Sequence, residues 1–184
     1  MFKKFTPASD VSGHTPVKTS VQRSIRNSIL SQWRIEPETL EAIWPKKDGL
    51  IHVKCREHIS IYTVNGEPVF FQHFDEAFFP TLKVLHKYPY ILAPVKIDRG
   101  AIRFVLAGAQ IMCPGLTSKG GELPPAEDAL AAGTSVAVFA EGKEHAVAVG
   151  VTKLSTEEMR KANKGVGVET TTYLGDDLWN IKTL

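Results

Sequence analysis

Apolar residues recur every four positions at Val21, Ile25, Ile29 and Trp33. That period predicts an amphipathic helix, with Thr19 or Ser20 as its cap and Arg23 and Arg26 on its outer face. A second, shorter helix is predicted from Pro37, a favourable first helical residue, to Trp44, where Pro45 ends it. The pattern then changes. Ile51 to Cys55, Ile59 to Val64 and Pro68 to Gln72 are rich in β-branched and aromatic residues and predict a meander of strands. Asn65-Gly66 marks the turn of a hairpin, because both central residues of a type I′ turn need positive φ. A third helix is predicted from Pro80 to just before Pro89, burying Leu82 and Leu85 and presenting Lys83, His86 and Lys87. Residues 6–16, rich in Ser, Thr, Pro and Gly, read as loop.

The second half is patterned in short β segments around one helix. Asp98 is a good N-cap, and Ile102, Val105 and Leu106 fall on one helical face. Arg99 and Arg103, four apart, are predicted to project together from another face. Gly108 ends this helix, since glycine takes left-handed backbone angles cheaply. Gln110 to Cys113 then start a strand that Pro114-Gly115 stops. Bare backbone at a glycine turn beside two guanidinium groups suits the phosphate and sugar of a nucleic acid. Lys119-Gly120-Gly121 and Pro124-Pro125 mark a long loop. A further helix over Ser155 to Asn163 has Ser155 as cap and Glu158 in capping-box position. The tail at Asp177-Leu178-Trp179 is expected to pack on this second half.

The chain is thus read as α+β, with a small α/β amino-terminal domain over 1–92 and a mainly β domain over 93–184. The break near 90–95 holds Pro89 and Pro94 and few polar residues, so it reads as a tight junction between rigidly packed halves, not a flexible linker.

With 184 residues, 43% apolar and 23% charged, the composition is that of an ordinary globular protein. No apolar run is long enough to span a membrane, and no signal sequence follows the first lysines. Two cysteines, Cys55 and Cys113, make no disulfide framework, which leads us to expect a reduced, cytoplasmic chain. The net charge of +2 does not by itself imply nucleic acid. Its distribution is more informative. Residues 1–92 carry 12 Lys and Arg against 9 Asp and Glu, and residues 93–184 carry 10 against 11. The second half must therefore bind RNA through a local surface if it binds at all.

Chemistry of other kinds finds little support. His52, Cys55 and His58 have ligand-like spacing, but on one strand Cys55 faces away from both histidines, and no fourth ligand is evident. Lys164-Gly165-Val166-Gly167-Val168 lacks the spacing and the Lys-Ser/Thr ending of a phosphate loop and reads as a strand. Cys113 has no histidine in a recognisable pairing motif. Asp75-Glu76 and Asp176-Asp177 read as solvated turns. No catalytic residue, cofactor or metal is expected.

The run from Asp98 to Gly115 resembles the signature of the PUA domain, a small RNA-binding barrel that also accompanies pseudouridine synthases and archaeosine transglycosylases. Gly133-Thr134-Ser135-Val136-Ala137-Val138, Glu141-Gly142, Ala146 to Gly150 and Lys164 to Val168 continue the resemblance in strand order. Met1-Phe2-Lys3-Lys4-Phe5, Pro45-Lys46-Lys47-Asp48, Thr63 to Glu67, Pro80-Thr81-Leu82, Leu85 to Pro89 and Asp177-Leu178-Trp179 are similar to the malignant T-cell-amplified sequence 1 family of translation factors. Residues 6–14 depart from it. The resemblance implies a PUA-type β-barrel for the second half and a non-enzymatic factor. It implies a heterodimer with density-regulated protein, acting on the small (40S) ribosomal subunit with the PUA domain near a tRNA acceptor end. The processes implied are reinitiation and the recycling of tRNA and subunits. The competing expectation is the targeting subunit of an RNA-modification enzyme.

Carried onto this sequence, the PUA contacts map to Arg99, Arg103, Gly108, Ala109 and Met112. Lys119 and Lys164 are further candidates for RNA. Lys46-Lys47 and the triplet Lys83, His86 and Lys87 can serve equally as solvent faces or ribosomal contacts. For the protein partner, Phe70, Phe71, Phe78 and Phe79 are four phenylalanines within ten residues, more than a small domain readily hides. Phe71 and Phe78 are therefore expected as exposed anchors for density-regulated protein.

Overall fold

A five-stranded antiparallel sheet organises the first half of the chain. The structure, a computed structural model, describes residues 1–184. Its elements here are α1 (Pro7–Asp10), β1 (Val11–Pro16), α2 (Thr19–Gln32), α3 (Pro37–Ile43), β2 (Ile51–Cys55), β3 (Ile59–Val64), β4 (Glu67–His73), β5 (Phe79–Pro80) and α4 (Leu82–Lys87). The strands lie side by side in chain order, so each connection is local. Asn65 and Gly66 have φ of 52° and 82°, as the hairpin between β3 and β4 requires. Of the segment 6–16 read as loop, Pro7–Asp10 form α1 and Val11–Pro16 an edge strand paired with β2, with a bulge between Val11 and Gly13. Its side chains are mostly exposed, so it carries none of the apolar alternation that reveals a half-buried strand.

Ile25, Ile29 and Trp33 are buried on the inner side of α2, whereas Val21 is exposed and the cap position is Lys18. Trp33 and Trp44 pack against Phe70, which stacks on Tyr62 at 4.9 Å and meets Phe78 edge-on. Phe71, pointing the other way from β4, pairs with Phe79 at 5.4 Å. All four phenylalanines are buried, so both faces of the sheet are covered at β4. This corrects the expectation that Phe71 and Phe78 are exposed anchors. Phe71 has no accessible surface, and Phe78 is fixed by its own N–H, which donates to Gln32 Oε1 at 2.8 Å.

The second half builds a separate curled sheet from β6 (Ala93–Ile97), α5 (Ile102–Val105), β7 (Ile111–Met112), α6 (Cys113–Thr117), β8 (Ser135–Ala140), β9 (Ala148–Thr152), α7 (Thr156–Ala162) and β10 (Val166–Tyr173). Strand order is β6-β8-β9-β10-β7, with only the β6–β8 pair parallel. The gap between β6 and β7 is bridged by the chain that follows β7. Asp98 N–H donates to Gly115 O, and Lys96 and Glu122 exchange both main-chain hydrogen bonds. Here the sequence reading needs another correction. Pro114-Gly115 does not stop a strand but lies in the first turn of α6, where proline's missing N–H costs nothing. The Lys164-to-Val168 run enters β10. A Cβ on Gly167 would lie 3.2–3.3 Å from Leu116, Met159 and Cys113, so this glycine admits α6 and α7 to the core. Helix α7 carries the expected capping box, with both the Ser155 and the Glu158 side-chain bonds formed.

The tail does not follow the expectation. A last helix, α8 (Asp177–Asn180), leads residues 177–184 into the amino-terminal unit, which comprises Lys4–Ile91 and Asp177–Leu184. Phe5 N–H donates to Asp177 Oδ2 (2.7 Å), Lys83 Nζ to Ile181 O (2.8 Å) and Leu184 N–H to Gly66 O (2.9 Å). Reciprocally, Met1–Lys3 belong with Leu92–Asp176 in the second unit. No helix is long and apolar enough to cross a membrane.

Candidate nucleic-acid interface

The sequence around Asp98 folds locally for clear reasons. Asp98 Oδ1 accepts from Ala101 N–H at 2.8 Å, and its other oxygen accepts from Ser118 Oγ. Residues 99–101 form a 3₁₀ turn before α5 begins at Ile102. The tighter turn breaks the fourfold spacing on which the pairing of Arg99 with Arg103 rested. Arg99 N–H donates to Glu141 Oε2 at 2.8 Å, and a Cβ on Gly142 would lie 2.5 Å from Arg99 Nη2. Arg99 is thus folded onto the Glu141-Gly142 turn. Gly120 sits against the Glu141 carboxylate, so Lys119 belongs to the same corner.

Arg103 lies elsewhere. Its guanidinium carbon is 4.7 Å from the ring centroid of Phe104, and that ring is 53% exposed. Leu106 and Met112 are also exposed, while Val105 alone of this helix is fully buried. The expected apolar face of Ile102, Val105 and Leu106 is therefore only partly inward, since α5 is one turn long and ends at Leu106. Gly108, with φ of 87°, turns the chain toward β7. Thr170 holds the turn from below. Its hydroxyl donates to Ala109 O (3.2 Å), and its N–H donates to Gln110 Oε1 (2.6 Å). Met112 pairs with Val166, and Cys113 N–H donates to Gly165 O, which brings Lys164 to the end of the same β7–β10 ladder.

The structure so divides the predicted set. Arg103, Gly108, Ala109 and Met112 lie in or beside the α5–β7 turn, Lys164 sits at the opposite, Cys113 end of the β7–β10 ladder, and Arg99 and Lys119 flank an acidic corner. Sequence reading missed Phe104 and Leu106, two large apolar side chains left in solvent. An exposed aromatic ring beside an arginine has the chemistry to stack an unpaired base and to offer a cation to its phosphate.

Other candidates are occupied by structure. His52 Nε2 lies 2.8 Å from Ser60 Oγ, the Cys55 thiol points at Val53 O, and His58 stacks on Phe74. No three His, Cys, Asp or Glu side chains are grouped to hold a metal ion. Burial pushes the Cys55 thiol up to about 11, helped by Asp10, and burial likewise raises Cys113, so both stay neutral and poorly nucleophilic. Between α2 and α3 lies a cleft of about 950 Å³ lined by Arg23, Leu30, Leu40, Glu41 and Lys46. Arg26 is not an outer-face residue there. It stacks 3.9 Å over Trp44, donates to Trp44 O, and pairs with Glu41. Lys83 and His86 are likewise taken up by the tail, through Ile181 O and Trp179.

Residues 5–89 match the Pre-PUA-like domain, and residues 94–174 match the PUA domain. Malignant T-cell-amplified sequence 1-B of Xenopus laevis is 51% identical over 183 residues, covering 100% of this chain and 99% of its own. The chain belongs to the malignant T-cell-amplified sequence 1 family. Within this family, malignant T-cell-amplified sequence 2 of Homo sapiens is 52% identical with coverage of 100% and 99%. Translation machinery-associated protein 20 of Schizosaccharomyces pombe is 45% identical, covering 97% of each chain. A hypothetical protein of Pyrococcus horikoshii OT3 shares the fold, with TM-score 0.73 at 22% identity over 92% of this chain and 99% of that one. In this member of the family the PUA match contains the whole α5–β7 turn.

Proposed function

We propose that this protein is a non-enzymatic, RNA-binding translation factor of the cytoplasm. The observation that carries the reading is the α5–β7 turn. Arg103, Phe104 and Met112 stand in solvent beside the half-exposed Gly108-Ala109 turn, in a chain similar along its length to a protein named translation machinery-associated. Single-stranded RNA ends offer unstacked bases and phosphates, which match an exposed ring with adjacent cations. The ligand we assign to this turn is a tRNA acceptor end held on the small ribosomal subunit. The contribution to reinitiation and to recycling is positioning, and no bond chemistry is needed. The family resemblance supplies density-regulated protein as the heterodimer partner. The aromatic side chains that the amino-terminal unit leaves to such a partner are Phe74 and Tyr90, 51% and 59% exposed.

Sedimentation of the purified chain with small ribosomal subunits, with and without the partner, tests this. Arg103→Glu is expected to reduce the tRNA retained on the subunit while the chain stays folded. Equal tRNA retention by wild type and variant would contradict the assignment.

A further inference from the structure

We propose that Lys3 binds an RNA phosphate at the α5–β7 turn, so that the amino-terminal segment completes the RNA surface. This inference rests on the reading of that turn as an RNA site. The domain matches begin at residues 5 and 94, so neither includes Lys3. Yet Met1–Lys3 belong to the same compact unit as Leu92–Asp176. Phe2 anchors the segment, with no accessible surface, and leaves Met1 and Lys3 exposed on either side.

The contact that locates Lys3 is specific. A Cβ built on Gly108 would lie 3.2 Å from Lys3 Cδ, and 3.2 and 3.3 Å from Cε1 and Cζ of Tyr173. The lysine stem and the tyrosine ring therefore flank the glycine on which the turn pivots. A lysine packs its methylenes on such a surface and keeps its ammonium in water. With Cδ fixed against Gly108, Nζ stands two bonds further out, at the rim of the turn. Its charge is uncommitted, because no carboxylate comes within ion-pair distance of it. The carboxylate near Tyr173 in the chain, Asp176, is buried and turned inward, where its Oδ2 accepts from Thr172 Oγ1 and from Tyr173 N–H. An unpaired cation held at the rim of the turn fits a phosphodiester of the strand whose base stacks on Phe104. Lys4, the next residue, is exposed but belongs to the other unit, and serves as the internal control.

The test uses the full chain and an RNA hairpin with a short single-stranded 3′ end. Binding is measured by fluorescence anisotropy across a salt series for wild type, Lys3→Ala, Lys3→Arg, Lys4→Ala and Phe104→Ala. Each phosphate contact to a single strand contributes about 0.7 to the slope of log K against log salt. Lys3→Ala is expected to lower the slope by about that amount and to weaken binding severalfold, with an unchanged melting temperature. Lys3→Arg keeps the slope, and Lys4→Ala leaves it as in wild type. If Phe104→Ala weakens binding but Lys3→Ala leaves affinity and slope unchanged, the role of Lys3 is refuted and the surface stands. If wild type does not bind, or neither variant weakens binding, both the surface and the role of Lys3 fall.

Discussion

The guanidinium carbon of Arg103 lies 4.7 Å from the ring centroid of Phe104, its neighbour in the chain, and both side chains face solvent. Only Val105 of the one-turn helix α5 is buried, which leaves both of these neighbours on its outer side. The ring gains a cation on its face without being covered. Phe104→Ala is expected to cost about 1–3 kcal/mol of RNA affinity, the usual worth of one stacked base. Its effect on folding stability should stay within about 0.5 kcal/mol, because the residue is exposed. Anisotropy titration beside a urea melt separates the two.

Gly108 is constrained twice, by its φ of 87° and by Lys3 and Tyr173 where a side chain would enter. Gly108→Ala would place a side chain in a left-handed conformation, which costs about 1–3 kcal/mol, and push against both neighbours. Thermal melting should show that loss. Gly133→Ala is the reference, because that glycine also has positive φ, at 84°, but nothing within 4 Å of a Cβ. A larger destabilisation at 133 than at 108 would show that the packing at 108 is slack.

Phe71 and Phe74 are expected to separate stability from the proposed partner binding. Phe71 is fully buried, and Phe71→Ala should destabilise the chain by about 3–5 kcal/mol. Phe74, exposed and stacked on His58 at 4.3 Å, should lose about 0.5 kcal/mol at most on truncation. Co-purification of density-regulated protein should fall with Phe74→Ala while circular dichroism is unchanged. Undiminished co-purification would remove Phe74 from the interface.

The Cys55 thiol gives the fold an alkaline limit. Its folded value is about 11, against an ordinary 9.0, chiefly because burial disfavours the thiolate and secondarily because of Asp10. Above pH 9 the unfolded chain loses this proton first, so unfolding gains and stability falls up to about pH 11. Below pH 9 the contribution is complete. Cys55→Ala should flatten the decline in denaturation midpoint between pH 9 and 11. An equally steep decline in the variant would assign it to other groups.

Much of the fold was legible. Strands 51–55 and 59–64, the Asn65-Gly66 turn and the capping box at Ser155 and Glu158 all follow from local chemistry, and the structure has them. What was illegible depended on neighbours distant in sequence. Strand β1 is mostly exposed and takes its conformation from pairing with β2. Phe71 and Phe78 are hidden because both sheet faces are covered, which no count of phenylalanines reveals. At the candidate site the structure divides the residues that the sequence reading grouped together. The Arg99 side chain lies against the turn at Gly142, forty-odd residues later, and Phe104 was passed over because helical spacing was assumed where a 3₁₀ turn intervenes.

The central claim is that the α5–β7 turn receives the RNA, and amide chemical-shift mapping tests it most directly. The isotope-labelled chain is titrated with the hairpin bearing a single-stranded 3′ end. The expected shifts centre on residues 103–112, with Lys164 and Lys3, and they collapse in Phe104→Ala. Shifts confined to the α2–α3 cleft around Arg23 and Lys46, with residues 103–112 unmoved, would contradict it.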